Sequence, residues 1–286
     1  MRLRLNVSVF GLVVGLVVVV ALGLVVVPAC SSKAGAPSTR PSSTGPLTEE
    51  EFKALHALPI AGPQDLKGQT IDLKGTKAYL SLPPGPGPFP AIVVIHEWWG
   101  LNGNIEHWAD RLASAGWAAL AIDLYSGTVA TTRDEAMTAM KAVDDTKAAA
   151  VIRAGLDFIA TDVRIKATKK AVIGWCFGGG WSLQAALANP DLDGVIMYYG
   201  QLELDPAKLG AIKAKLLGVF GTRDKGLPPE KVSEFETALK QAGVSEEIHS
   251  YDAEHAFANP SNPVYDQTSA ADAWRHVLAF LDKLRG

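Results

Sequence analysis

The sequence predicts an α/β domain, a mostly parallel central sheet with helices on both faces. Three observations carry that expectation. Short β-branched or aliphatic runs such as Ala91-Ile92-Val93-Val94-Ile95 have the unbroken apolar character of strands buried on both sides. Amphipathic helical stretches alternate with these runs as far as the C-terminus. The chemically distinctive residues fall just after the runs, at the strand ends where such sheets bind their ligands.

The first 46 residues stand outside this pattern. Arg2 and Arg4 precede an uncharged, valine- and leucine-rich stretch from Leu5 to Ala29, the layout of a secretory signal. It ends in Val27-Pro28-Ala29-Cys30, which resembles a bacterial lipobox, so residues 1–29 are expected to be a lipoprotein-type signal peptide and Cys30 its lipid attachment point. An uncleaved signal anchor is the alternative, and both place the body outside the cytoplasm and tethered to the membrane. Removing residues 1–29 takes away two positive charges and no acids, moving the formal charge from −3 to −5. Residues 30–46 are rich in Ser, Pro, Gly and Ala and read as a flexible tether. The folded domain is expected over 47–286, a length that suits one α/β unit.

Within it, Gln69 to Leu82 alternates apolar and polar residues around Lys74-Gly75, a hairpin signature. Ala91 to Ile95 is the first parallel strand, and Asn104 to Ala115 a helix with Ile105, Trp108, Leu112 and Ala115 on one face. Trp117 to Tyr125 is a second buried strand, followed by helices over Arg133 to Val143 and Asp145 to Thr161. Lys170 to Gly174 is a strand that runs through a glycine-rich turn into the helix Gly179 to Ala188. Gly194 to Tyr199 and Leu216 to Phe220 are strands. Pro228 to Ala242 is a helix, Glu246 to Tyr251 the last strand and Thr268 to Leu284 the closing helix.

The composition, 48% hydrophobic and 20% charged, is ordinary for a globular protein. With 27 basic against 30 acidic residues in scattered positions, no basic surface for nucleic acid is indicated. Cys30 and Cys176 are far apart, and no CxxC or Cys/His cluster at ligand spacing is present, so no structural zinc is expected.

Gly174-Trp175-Cys176-Phe177-Gly178 is G-x-C-x-G between a strand and a helix, the spacing of a nucleophile elbow with cysteine at its centre. The glycines belong there because side chains would strike the flanking strand and helix, and the helix N-terminus favours a thiolate. A thiolate nucleophile needs a base, and the base an orienter. Asp224 follows the strand ending at Phe220, and His255 follows the last strand, in the chain order acid then histidine that such folds use. The loop His96-Glu97-Trp98-Trp99-Gly100 follows the first parallel strand and should face the elbow, bringing Glu97 toward Cys176. His56, His107, His249 and His276 are expected to be solvated.

His96-Glu97-Trp98-Trp99-Gly100-Leu101, Asp123-Leu124-Tyr125, Gly174-Trp175-Cys176-Phe177-Gly178-Gly179 and His255-Ala256-Phe257 together resemble the dienelactone hydrolase family. The resemblance spans essentially all of 47–286. It implies an α/β-hydrolase fold, a Cys176–His255–Asp224 triad, a Glu97 that holds the resting thiol, and an oxyanion hole made by the backbone N–H groups of Trp98 and Phe177. It implies no cofactor and no metal. Where family members carry arginines for a substrate carboxylate, this chain has Gly127 and Asn259, with Arg133 a conceivable substitute. Tyr125, Trp99, Trp175 and Asn259 are the expected pocket residues, with Trp98, Phe177 and Phe257 as further aromatics nearby. The expected activity is hydrolysis of small carboxylic esters or lactones through a thioester. A thioesterase or peptidase of the same fold, or a non-catalytic ligand-binding lipoprotein, remains open.

Overall fold

Where the sheet forms is set by the buried aliphatic runs. The computed structural model describes residues 48–56 and 65–286, so Cys30, the signal segment and the tether lie outside the described residues. The strands are β1 (Gln69–Leu73), β2 (Thr76–Ser81), β3 (Ala91–Ile95), β4 (Ala118–Ile122), β5 (Lys170–Trp175), β6 (Gly194–Tyr198), β7 (Lys215–Gly221) and β8 (Glu246–Tyr251). They form one eight-stranded sheet in the order β1-β2-β4-β3-β5-β6-β7-β8. From β4 to β8 all neighbours are parallel, while the β1–β2 hairpin joins antiparallel through β2 to β4.

The helices are α1 (Glu49–His56), α2 (Gly103–Ser114), α3 (Arg133–Lys141), α4 (Asp145–Thr161), α5 (Phe177–Ala188), α6 (Pro206–Leu209), α7 (Pro229–Gln241) and α8 (Gln267–Arg285). Alternate residues of one strand face opposite layers. Ile92 and Val94 pack with Phe52, Leu112, Val277 and Phe280 beneath α1, α2 and α8. Val93 and Ile95 pack with Ile152, Leu156, Leu183 and Phe235 beneath α4, α5 and α7. Every residue of β3 is fully buried, which is why that run carries no polar alternation.

Three expectations change. The strand expected to reach Tyr125 stops at Ile122, because Asp123 turns its carboxylate onto the backbone N–H groups of Tyr125 (2.8 Å) and Gly127 and folds the chain out of the sheet. Helix α5 begins at Phe177 rather than Gly179, so the elbow residue itself is the N-cap. Helices α1 and α6 were not anticipated. Helix α1 is docked by Glu49, which accepts hydrogen bonds from Arg111 (2.8 Å) and Tyr265 (2.7 Å). Arg111 is fully buried, its guanidinium 4.2 Å from the ring centroids of both Phe52 and Trp274. With α1 on one side and the sheet on the other, α2 has eight buried residues. His107 is among them at 4% exposure and is not a solvated histidine.

Candidate active site

Strand β5 drives straight into α5, and the turn between them is shaped by close approach. A Cβ on Gly174 would lie 2.3 Å from the Gly178 carbonyl oxygen, and one on Gly178 would lie 2.3 Å from that of Ile95. Only glycine fits at either position. The Gly178 contact also presses the end of β3, and with it the His96–Trp98 loop, against the elbow. Cys176 itself adopts φ +54°, ψ −115°, a strained conformation for an L-residue, and its backbone N–H donates to the Tyr198 carbonyl at 3.0 Å. Positive φ recurs at Tyr199 (+36°) and Ala256 (+65°), so strained residues gather around one point.

His255 stands beside that turn. Its Nδ1 is 2.6 Å from Asp224 Oδ2, and it lines the same groove as Cys176. Asp224 is buried, and its second oxygen accepts from the N–H groups of Gly226 (2.8 Å) and Leu227 (3.3 Å), which lock the carboxylate in place. Burial alone would raise the Asp224 pKa, but the histidine and these donors hold it below the ordinary range. Burial likewise works against a charged His255. The hydrogen bond to Asp224 and the neighbouring Cys176 prevail and push its pKa up to about 10. The sequence thus named Cys176, Asp224 and His255 separately, and all three line one groove.

Glu97 behaves differently from its expectation. The residue is 7% exposed, and its carboxylate accepts a 2.6 Å hydrogen bond from Asn259 Nδ2, not from Cys176. In this geometry Asn259 holds Glu97 and is not among the residues lining the groove over Cys176. Burial raises the Glu97 pKa to about 7 even though Asn259 and the charge on His255 pull it down. His96 is wholly buried and structural. Its Nε2 accepts from the Leu124 N–H at 3.1 Å, so Nδ1 carries the proton and donates to the Glu97 carbonyl oxygen at 2.6 Å. Burial lowers its pKa and keeps it neutral. The Phe177 N–H is at the first position of α5, where no helical carbonyl is available to it. Trp98 directly follows Glu97 and meets Trp99 edge to face at 5.0 Å.

A groove with a cavity volume of about 1030 Å³ opens over Cys176 and His255 toward α4 and α5. Phe177, Trp181, Met140, Leu202 and Leu227 supply its apolar wall. None of Tyr125, Trp99, Trp175 and Asn259 lines it. Trp175 is 1% exposed and stacks on Trp108 at 4.6 Å, because strand alternation turns it toward the α2 and α8 layer, away from the groove. Tyr125 is buried between His96 (4.6 Å) and Phe177 (5.2 Å), and its hydroxyl pKa is raised by burial and then by the nearby Cys176. Phe257 is fully buried in the same layer as Trp175. Arg133 is an exposed residue of α3 and Gly127 is exposed, so neither brings a cation to the groove. Trp181 escaped notice in the sequence, although it is four residues beyond Phe177 and hence on the same face of α5. Tyr199 was likewise missed as a site residue, although it directly follows a strand end. Its ring is 5.0 Å from that of His255.

Away from this site, Glu247, His249 and His276 each offer one ligand atom within 4.8 Å of the others, and are the residues able to hold a metal among those described. Neither histidine is freely solvated; both are half-buried. The side chain of His56 lies outside the described residues.

A cysteine in a strained strand-to-helix turn, backed by a histidine and a carboxylate from later strand ends of a mostly parallel sheet, defines an α/β-hydrolase fold. The family model of the dienelactone hydrolase family matches residues 76–284, and the chain belongs to that family of hydrolases. It is 33% identical over 227 residues to "Protein usf" of Aquifex pyrophilus, covering 74% of this chain and 97% of that one. It is 30% identical over 233 residues to the "Putative carboxymethylenebutenolidase" of Escherichia coli K12, covering 70% and 79%. The crystal structure of a "Putative Dienelactone Hydrolase" from Klebsiella pneumoniae superposes with a TM-score of 0.66 at 26% identity, covering 74% of this chain and 96% of that one.

Proposed function

We propose that the protein hydrolyses uncharged carboxylic esters or lactones with Cys176 as nucleophile, His255 as proton carrier and Asp224 as the group that orients and charges the imidazole. The observation that supports this reading is the 2.6 Å contact between Asp224 and His255 beside the elbow cysteine, with all three residues lining one groove. Cys176 Sγ attacks the carbonyl carbon. The oxyanion that forms is received by the N–H groups of Phe177 and Trp98, each such donor worth about 3 kcal/mol in a transition state. His255 gives its proton to the departing alkoxide oxygen, leaving a thioester on Cys176. Water, deprotonated by His255, then attacks the thioester, releases the acid and returns the proton to the sulfur side.

Substrate charge follows from the groove. Apart from His255 itself, Lys231 is the one basic side chain among its lining residues, beside Asp145 and Asp224, and its wall is largely aromatic and aliphatic. An apolar arm gains about 25 cal/mol per Å² buried there, whereas an unpaired carboxylate loses its hydration without a bidentate partner. Neutral aryl or alkyl esters with an extended apolar group are therefore the favoured class. Incubation with an activated neutral ester followed by mass spectrometry should find the acyl mass on the peptide containing Cys176. An enzyme whose Cys176→Ala variant turns over esters like the wild type would overturn the assignment.

The Val27-Pro28-Ala29-Cys30 segment and the Ser/Pro-rich stretch behind it support a membrane-tethered, extracytoplasmic enzyme with lipid on Cys30. Mass spectrometry of the mature N-terminus should find acylated Cys30. An intact Met1 in the membrane fraction would show a signal anchor instead.

A further inference from the structure

We propose that β8 and α8 together carry a divalent transition-metal site formed by Glu247, His249 and His276, separate from the hydrolytic centre. Glu247 and His249 are two apart on β8, the last strand of the sheet order, so both side chains leave the same face. His276 comes from α8, which packs across that face with Asp272 one turn before it and Lys283 two turns after it. None of these residues lines the groove over Cys176.

The distances suit coordination. Glu247 Oε1 is 2.9 Å from His249 Nε2 and 3.5 Å from His276 Nδ1. Ligand atoms at about 2.0–2.1 Å from a tetrahedral zinc ion stand about 3.3 Å from one another, so both edges are within a few tenths of an ångström of that geometry. The two imidazole rings stack 3.5 Å apart at 28°, and each has one nitrogen within 3.5 Å of the same carboxylate oxygen. The opposite nitrogen of His276, Nε2, is 3.4 Å from Asp272 Oδ2. A carboxylate behind a histidine, fixing its tautomer while the other nitrogen binds metal, is the usual outer partner of such ligands. Asp272 is itself held by the Tyr251 hydroxyl at 2.9 Å and by Arg275. The ammonium of Lys283, 3.0 Å from Glu247 Oε2, occupies the oxygen that faces away from the histidines.

Two imidazoles and one carboxylate, with water completing the shell, suit Zn²⁺, Co²⁺ or Cu²⁺ and are too nitrogen-rich for Mg²⁺ or Ca²⁺.

The test is calorimetric titration of the EDTA-treated full chain with ZnCl₂. One equivalent should bind with a Kd of about 1–10 μM. Binding should persist in the Cys176→Ala variant and weaken by about tenfold or more in His249→Ala, His276→Ala and Glu247→Gln. Lys283→Ala, at an exposed position, should tighten it by removing a competing cation. In the unaltered protein, Co²⁺ should give the visible bands of a four-coordinate nitrogen- and oxygen-ligated ion, displaced by Zn²⁺. No saturable uptake below about 100 μM, or a His276→Ala titration that overlays the wild type, would overturn the site.

Discussion

Replacing Glu97 by glutamine should make the protein more stable and less active, and the size of the first effect follows from the site. Glu97 is 7% exposed, and burial raises its pKa from the ordinary 4.5 to about 7 in spite of Asn259 and His255. Below about pH 4.5 the carboxyl is protonated in folded and unfolded chains, and its ionisation costs the fold nothing. Between about 4.5 and 7 the folded protein keeps a proton that the unfolded chain has released, so stability declines as pH rises. Above about 7 the loss is complete. A difference of roughly 2.5 pKa units at 1.36 kcal/mol each is about 3 kcal/mol of folding free energy forgone at alkaline pH. Glutamine keeps the shape and accepts the Asn259 hydrogen bond without the charge. Urea unfolding of both proteins at several values between pH 5 and 8 should show Glu97→Gln ahead by about 3 kcal/mol at pH 8, or roughly 6–12 °C in Tm, with the two converging toward pH 5. A variant no more stable than wild type at pH 8 would refute the idea that the site keeps a costly buried carboxylate. If that carboxylate serves turnover, kcat/KM should fall in the same variant.

Other consequences are open to direct measurement. Cys176→Ala should abolish ester hydrolysis with unfolding behaviour unchanged, and Cys176→Ser should retain only weak activity, since a hydroxyl is far harder to deprotonate than a thiol. Asp224→Asn removes the acceptor 2.6 Å from His255 Nδ1 and presents an amide to it, so kcat should fall by about 10³- to 10⁴-fold while KM changes little; a loss under tenfold would remove Asp224 from the catalytic chain. Neutral aryl esters should exceed carboxylate-bearing dienelactones in kcat/KM by about a hundredfold, about 2.7 kcal/mol. Comparable values for both substrates in the unmodified enzyme would defeat the charge argument. Arg111→Met leaves Glu49 buried without its cation and should cost about 3–5 kcal/mol in denaturant unfolding, with proteolysis of α1 as the local signature.

The parallel sheet was legible because burial on both faces leaves an unmistakable local mark: runs such as Ala91–Ile95 have no polar residue to show a wet side. The elbow was legible for a related reason. Gly174 and Gly178 are demanded by backbone contacts a few residues away, so their spacing is itself a record of the geometry. Chain order was enough to propose Asp224 and His255, since each follows a strand end. What the one-dimensional pattern lacked was direction. Trp175 and Phe177 flank the same cysteine, yet strand alternation sends the first into the α2–α8 layer and the helix start sends the second into the groove. Partner choice was equally hidden. Glu97 and Asn259 are 162 residues apart in sequence, and their 2.6 Å hydrogen bond exists only because the loops after β3 and β8 meet on one rim of the sheet. Helix α1 gave no periodic signal strong enough to notice, since its place depends on a buried Arg111 supplied by another helix. His249 and His276 stack for the same reason: only the packing of α8 across β8 makes neighbours of residues that the sequence keeps apart. Local sterics and hydrophobic periodicity are written along the chain, whereas the pairing of polar groups is decided by which surfaces the folded layers bring together.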